Sequence, residues 1–216
     1  MEQSKVNMAF QVKEKANYTK WKIRFDRLLS LIFLILLSPI FLLLAICIKL
    51  SDWKAPVIFK QTRVGKGGQT FYMYKFRTMR TNAEAELEKY LKQNEIDGAM
   101  FKMKKDPRVT KIGRFLRKMS LDELPQIWNV LKGDMSLIGP RPPLPREVVV
   151  YSSYDKQRLL VTPGCTGLWQ VSGRNALSFE EMVELDLHYI RHLSFKLDFK
   201  ILCKTFIVLL FPKGAY

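Results

Sequence analysis

The sequence predicts an α/β fold: a small mixed α/β domain carried on an N-terminal re-entrant helix–break–helix hairpin, with amphipathic helices lying at an interface. Three observations predict it. A 21-residue uncharged run, Leu28 to Ile48, is interrupted at its middle by Ser38-Pro39. Two β-rich stretches, Val57-Ile58-Phe59 and Phe71-Tyr72-Met73-Tyr74, flank Gly65-Lys66-Gly67-Gly68. Helical patterns then recur at residues 124–131 and 178–192. Three parts follow: a basic segment over 1–24, a membrane helix–break–helix over 25–51, and a membrane-associated domain over 52–216.

The apolar run is long enough to cross a bilayer as one helix. Two details favour a hairpin that returns to the same face. Pro39 removes a backbone donor at the middle of the run. Residues 8–27 carry six basic side chains and residues 49–68 carry five, so the positive-inside rule assigns both flanks to the cytoplasm. A single spanning helix is the simpler alternative.

Residues 55–80 read as a hairpin, ending in Tyr74-Lys75-Phe76-Arg77 with alternate basic side chains on one face. Residues 82–95 read as a solvated helix and 98–112 as a basic loop containing Asp106-Pro107-Arg108. Leu124, Ile127, Trp128 and Leu131 space as one helical face, closed by Gly133. Met135 to Ile138 reads as a buried strand, and Gly139-Pro140-Arg141-Pro142-Pro143 as a stiff turn aiming Arg141. Residues 163–175 form a Gly-rich loop with Trp169, Gln170 and Arg174. Ser178 and Glu181 form a capping box that opens a helix to about His192. Residues 197–210 read either as an interfacial helix or as a core helix.

Lys and Arg exceed Asp and Glu by 16 (36 against 20), which points to an anionic partner: nucleic acid, acidic lipid or a phosphorylated substrate. The three cysteines share no CxxC spacing, so neither a disulfide framework nor a zinc site is expected; they read as buried small hydrophobes in a reducing compartment.

The chemistry concentrates at Ser120-Leu121-Asp122-Glu123-Leu124-Pro125-Gln126. Residues 102–118, just upstream, hold eight basic side chains and one acid, so both carboxylates are expected to stay ionised and to attract phosphate. Asp122 is placed to attack an electrophilic phosphorus. Glu123 is placed to hold Mg²⁺ together with substrate phosphates. The competing reading is structural: Ser120-x-x-Glu123 is itself a capping box, although Pro125 strains it. Lys75, Arg114, Arg117 and Arg141 are candidate phosphate clamps; most of the basic cluster reads better as a cationic face against anionic lipid, Arg141 excepted because its proline frame fixes its direction. Asp186 lies on an apolar stripe among Met182, Val183, Tyr189 and Ile190, so it either pairs with a core cation or faces the active site. His188 and His192 are spaced i, i+4 but have no third ligand, and read as surface residues.

These segments together resemble the bacterial monotopic polyprenol-phosphate phosphoglycosyl transferases, the initiating undecaprenyl-phosphate sugar-1-phosphate transferases. The resemblance runs from Arg27-Leu28 and Ser38-Pro39 through Tyr74 to Met79, Asp106-Pro107-Arg108 and Ser120 to Gln126. It continues through Asn129 to Ser136, Gly139 to Pro142, Pro163-Gly164, Gln170 to Asn175 and Leu185-Asp186. It implies a catalytic domain on the cytoplasmic face of the bacterial cytoplasmic membrane, in contact with anionic inner-leaflet lipids. The implied enzyme moves a sugar 1-phosphate from a UDP-sugar to undecaprenyl phosphate and releases UMP, as the first membrane step of capsule, exopolysaccharide or O-antigen synthesis. It also implies that Asp122 forms a phosphosugar-enzyme intermediate, that Glu123 works with Mg²⁺, and that Lys75, Arg117, Arg141 and Asp186 contact substrate or its phosphates. The Gly214-Ala215-Tyr216 ending looks like that of the galactose or glucose 1-phosphate enzymes. Functions located in the multi-span region of larger relatives are not expected here, and a homodimer is compatible with the resemblance. The rivals are a membrane-tethered nucleic-acid-binding protein, suggested by charge alone and disfavoured by the resemblance, and a non-catalytic scaffold.

Overall fold

The structure, a computed structural model, describes residues 15–83, 85–90, 103, 106–173 and 177–210. Arg174, residues 98–102, 104 and 105 of the expected 98–112 loop, and the Gly214-Ala215-Tyr216 ending lie outside the described residues.

The apolar run forms two helices, α1 (Ala16–Leu36) and α2 (Ser38–Ser51), bent by 61° at Leu37. Pro39 stands in the first turn of α2, where a missing N–H breaks no helical bond. Ser38 Oγ donates to the Ile35 carbonyl at 2.7 Å and serves an acceptor at the break. Among the described residues no single helix is long and apolar enough to cross a membrane, while this bent pair passes the same test together. The first helix starts at Ala16, so it runs through the expected boundary at residue 25. Its inward stripe is polar: Lys22, Asp26 and Ser30, at i, i+4 and i+8, are buried, whereas Leu28, Leu31, Ile35 and Leu36 are exposed.

The expected hairpin is present. Strands β1 (Ile58–Val64) and β2 (Thr70–Phe76) pair antiparallel from Ile58↔Phe76 to Val64↔Thr70. The region read as a helix over 82–95 begins as turns, and its described helical part, α3, is Leu87–Tyr90. Helix α4 (Lys111–Lys118) was not foreseen; it opens where a basic loop was expected. Thr110 caps it by accepting from Gly113 N at 3.0 Å. Gly113 is required there, because a Cβ would sit 2.0 Å from the Thr78 carbonyl oxygen.

A 3-10 turn over Leu121–Glu123 leads into α5 (Gln126–Lys132), which Gly133 ends in the left-handed region at φ 93°. Short strands β3 (Ser136–Ile138) and β4 (Gly164–Thr166) run parallel, separated by α6 (Pro145–Val149) and a 3-10 stretch over Asp155–Leu160. The Ser178–Glu181 capping box opens α7 (Phe179–Arg191), and α8 (Phe195–Leu210) follows.

Three cores hold these pieces. Ile138, Val183, Leu187, Ile190 and Ile201 gather around α7. Leu44, Ile48, Phe76 and Leu116 join α2 to β2 and α4. Met73, Val130 and Met135 join β2 to α5. Helix α8 combines both sequence readings: Ile201 is fully buried, while Phe199, Phe206, Ile207 and Leu210 are exposed. The cysteines are free, but Cys203 is exposed and Cys47 and Cys165 are half-buried, so the expectation of buried thiols is corrected.

Candidate active site

The two acids sit in the 3-10 turn between α4 and α5 rather than inside a helix. Ser120 immediately before them is held in the left-handed region (φ 55°, ψ 20°), an uncommon conformation for a residue with a side chain. Its side chain makes no cap bond, so the capping-box alternative fails. The left-handed residue turns the chain sharply out of α4 and presents both acids before α5 begins.

Glu123 Oε1 meets Lys75 Nζ at 2.6 Å, and Arg141 Nη1 approaches the same oxygen at 3.9 Å. Burial opposes its ionisation, but Lys75 and Arg141 outweigh that and hold its carboxyl at about 2. Asp122 behaves differently. It is 9% exposed, and burial, reinforced by the Glu123 charge, pushes its carboxyl above the usual range; Lys75 and Arg117 only partly oppose this. The basic surroundings act unequally on the two acids that were expected to stay ionised: Lys75 and Arg141 pair with Glu123, while burial raises Asp122.

Each arm of the site is fixed by buried or half-buried polar bonds. Arg117 donates from Nε to Thr78 Oγ1 at 3.0 Å and lies within the field of Asp122. Lys75 stands on β2, whose outer edge is met by a side chain instead of a third strand. Asn129 Nδ2 donates to Tyr72 O at 2.7 Å, and Asn129 Oδ1 accepts from Tyr74 N at 3.0 Å. Arg141 follows the proline frame, which Arg63 secures by donating to Pro142 O at 2.9 Å while Val64 N donates to Pro143 O at 2.9 Å. Arg63 is buried, and burial followed by repulsion from Arg141 lowers its guanidinium to about 9.

Lys75, Asp122, Glu123 and Arg141 therefore converge, with Arg117 beside Asp122. Arg114 is exposed on α4. Asp186 is fully buried and takes Arg158 Nε at 2.8 Å, the paired arrangement of its two readings; none of its described partners belongs to the Asp122–Glu123 cluster. His188 and His192 stack at 4.2 Å, and no three metal-ligating side chains converge among the described residues.

Arg63 and Asn129 were missed as positioning residues. Arg63 reads in sequence as one more flanking charge. Asn129 hides within the expected apolar helix, whose real packing is inverted: Gln126, Asn129 and Val130 are buried while Trp128 is half-exposed. Pro125 N-terminal to that helix and Gly133 at its end were the only local signals.

Comparison with known proteins follows the same boundaries. The model of the bacterial sugar transferase family matches residues 17–212. A galactosyl transferase, CpsE, of Streptococcus agalactiae is 53% identical over 161 residues, covering 74% of this chain and 36% of its own. The exopolysaccharide production protein ExoY of Sinorhizobium fredii is 42% identical, covering 89% of this chain and 86% of its own. The undecaprenyl-phosphate galactose phosphotransferase of Salmonella typhimurium is 44% identical, covering 89% of this chain and 41% of its own. The chain thus spans well under half of two of these relatives and most of the third. A match from α1 through α8, enclosing the Asp122–Glu123 turn, shows that the chain belongs to the bacterial sugar transferase family.

Proposed function

We propose that the protein transfers a sugar 1-phosphate from a UDP-sugar to undecaprenyl phosphate, starting assembly of a capsule, exopolysaccharide or O-antigen unit. The observation that carries this reading is the split pair: Glu123 held ionised by Lys75 and Arg141, and Asp122 buried beside it with no ion pair among the described residues. Printed names of relatives, including a UDP-glucose:undecaprenyl-phosphate glucose-1-phosphate transferase of Xanthomonas campestris, support hexose donors.

An Asp122 carboxylate oxygen attacks the β-phosphorus of the UDP-sugar. The bond from that phosphorus to the bridging oxygen breaks, and UMP leaves with the electron pair. A phosphate oxygen of undecaprenyl phosphate then attacks the same phosphorus, and the Asp122 carboxylate is released. Lys75, Arg117 and Arg141 bind and orient the phosphates and balance their charge.

The donor set suits Mg²⁺ only jointly with substrate: Glu123 and Asp122 are adjacent, and Mg²⁺ is commonly held by one or two carboxylates plus phosphate oxygens. When bound by Glu123 and the diphosphate, the ion supplies charge neutralisation at the leaving phosphate. The bent pair α1–α2 serves as a re-entrant anchor at the cytoplasmic face, which brings a soluble donor and a lipid-borne acceptor to one site.

The test uses native protein and Asp122→Asn with UDP-galactose or UDP-glucose, Mg²⁺ and undecaprenyl phosphate. Native protein releases UMP, and Asp122→Asn loses at least ~10³-fold, with no phosphosugar adduct by intact-protein mass spectrometry. Equal UMP release by both proteins refutes the nucleophile.

A further inference from the structure

Two adjacent residues of α1 grip the chain just beyond α5. Asp26 Oδ2 accepts from Leu137 N at 3.2 Å and from Ser136 Oγ. Arg27 Nη2 donates to the Lys132 carbonyl at 3.0 Å, serving an unsatisfied acceptor at the C-terminus of α5 with a charge its dipole favours. The fit is close, since a Cβ on Gly133 would lie 2.1 Å from Arg27 Nη2. Behind this grip, Lys22 bonds Asp26 at 3.3 Å and Asp198 at 2.8 Å, tying α1 to α8 as well.

The gripped segment is the far end of the helix that carries the site. The Asp122–Glu123 turn enters α5 at one end, Asn129 fixes Lys75's strand along it, Arg27 holds the other end, and Asp26 holds β3 just beyond it. Seven residues of helix separate the two, about 10 Å of rigid rise.

We propose that Asp26 and Arg27 are positioning residues that set the height and tilt of the Asp122–Glu123 turn relative to the bilayer. They thereby govern the step that uses the lipid acceptor and not the step that uses the soluble donor. This rests on the function proposed above. A UDP-sugar reaches the turn from water whatever its tilt. The phosphate of undecaprenyl phosphate is confined to the headgroup plane, so a site displaced by an ångström loses its near-attack geometry.

The experiment compares native protein, Arg27→Ala and Asp26→Asn in nanodiscs. The UMP burst from UDP-galactose or UDP-glucose without acceptor reads the first step, and transfer to undecaprenyl phosphate reads the second. Both variants keep the burst within about 2-fold and lose transfer by on the order of 10-fold or more, with Arg27→Lys recovering part of it. Burst and transfer falling in parallel, or neither falling, overturns the proposal. A fluorophore at position 118, quenched by depth-resolved lipids, supplies a readout independent of chemistry. It sits at one depth in native protein and spreads in Arg27→Ala. If native protein shows no burst with either donor, the transferase reading fails, and an unchanged depth in Arg27→Ala separately overturns the positioning role. Arg27 is exposed, so its replacement leaves the fold intact even if Asp26→Asn does not.

Discussion

Asp122 and Glu123 are neighbours in the chain with opposite electrostatic conditions. Glu123 is pinned low by Lys75 and Arg141, while burial and the Glu123 charge raise Asp122. Such separation divides labour between two like groups. A nucleophile must be ionised, so turnover falls as pH drops through the raised Asp122 value, above the ~3.9 of an ordinary aspartate. Glu123→Gln removes one of the two causes of that rise. Its residual kcat/KM profile shows the acid limb moved to lower pH, and an unmoved limb refutes the coupling. At this scale the sequence was informative: Asp122, Glu123 and Arg141 stood out from residue type and context, Lys75 gained its role from the family resemblance, and the structure brings them together. Their unequal charge was not legible, because it depends on which cation folds against which acid.

At the scale of elements, the sheet is completed by a side chain. Asn129 presents a donor and an acceptor to β2, as a third strand would, and leaves α5 free to be short. Asn129→Ala orphans Tyr72 O and Tyr74 N, at about 1–3 kcal/mol for each half-buried group. Thermal unfolding in detergent should therefore drop by roughly 4–8 °C or more. Trp128→Ala, on the half-exposed face, costs markedly less; equal losses refute the strand-like role. Periodicity identified this helix but chose the wrong face. Leu124, Ile127, Trp128 and Leu131 form the apolar stripe, yet the buried side is anchored by Gln126 and Asn129. The same inversion occurs on α1, where Lys22, Asp26 and Ser30 point inward. A pattern rule that assumes water outside misassigns helices whose polar sides bind protein. Helix α4 escaped notice because eight basic neighbours in 102–118 made the stretch resemble a loop.

At the scale of the molecule, charge and apolar surface act together. The chain carries a formal charge of +16, and α1, α2 and α8 expose large apolar side chains. Electrostatic attraction to anionic lipid is screened within ~3 Å at 1 M salt, whereas apolar insertion is not. The protein therefore stays on phosphatidylglycerol vesicles in 1 M NaCl after flotation. Release by salt alone means that charge, not insertion, holds it. The mixed α/β class was readable from the sequence, but α4, α6 and β4 were not; nor was the docking of α1, because its partners are remote in the chain.

That remoteness has a consequence in time. The bend at Leu37 is satisfied by Phe33, Ile35 and Phe41, all within one stretch of chain. Lys22 must wait for Asp198, 176 residues later. At synthesis rates of roughly 5–20 residues per second, that is an interval of about 10–35 s. Throughout it every partner of the bend is already in the chain, while Lys22 has Asp26 beside it but not yet Asp198.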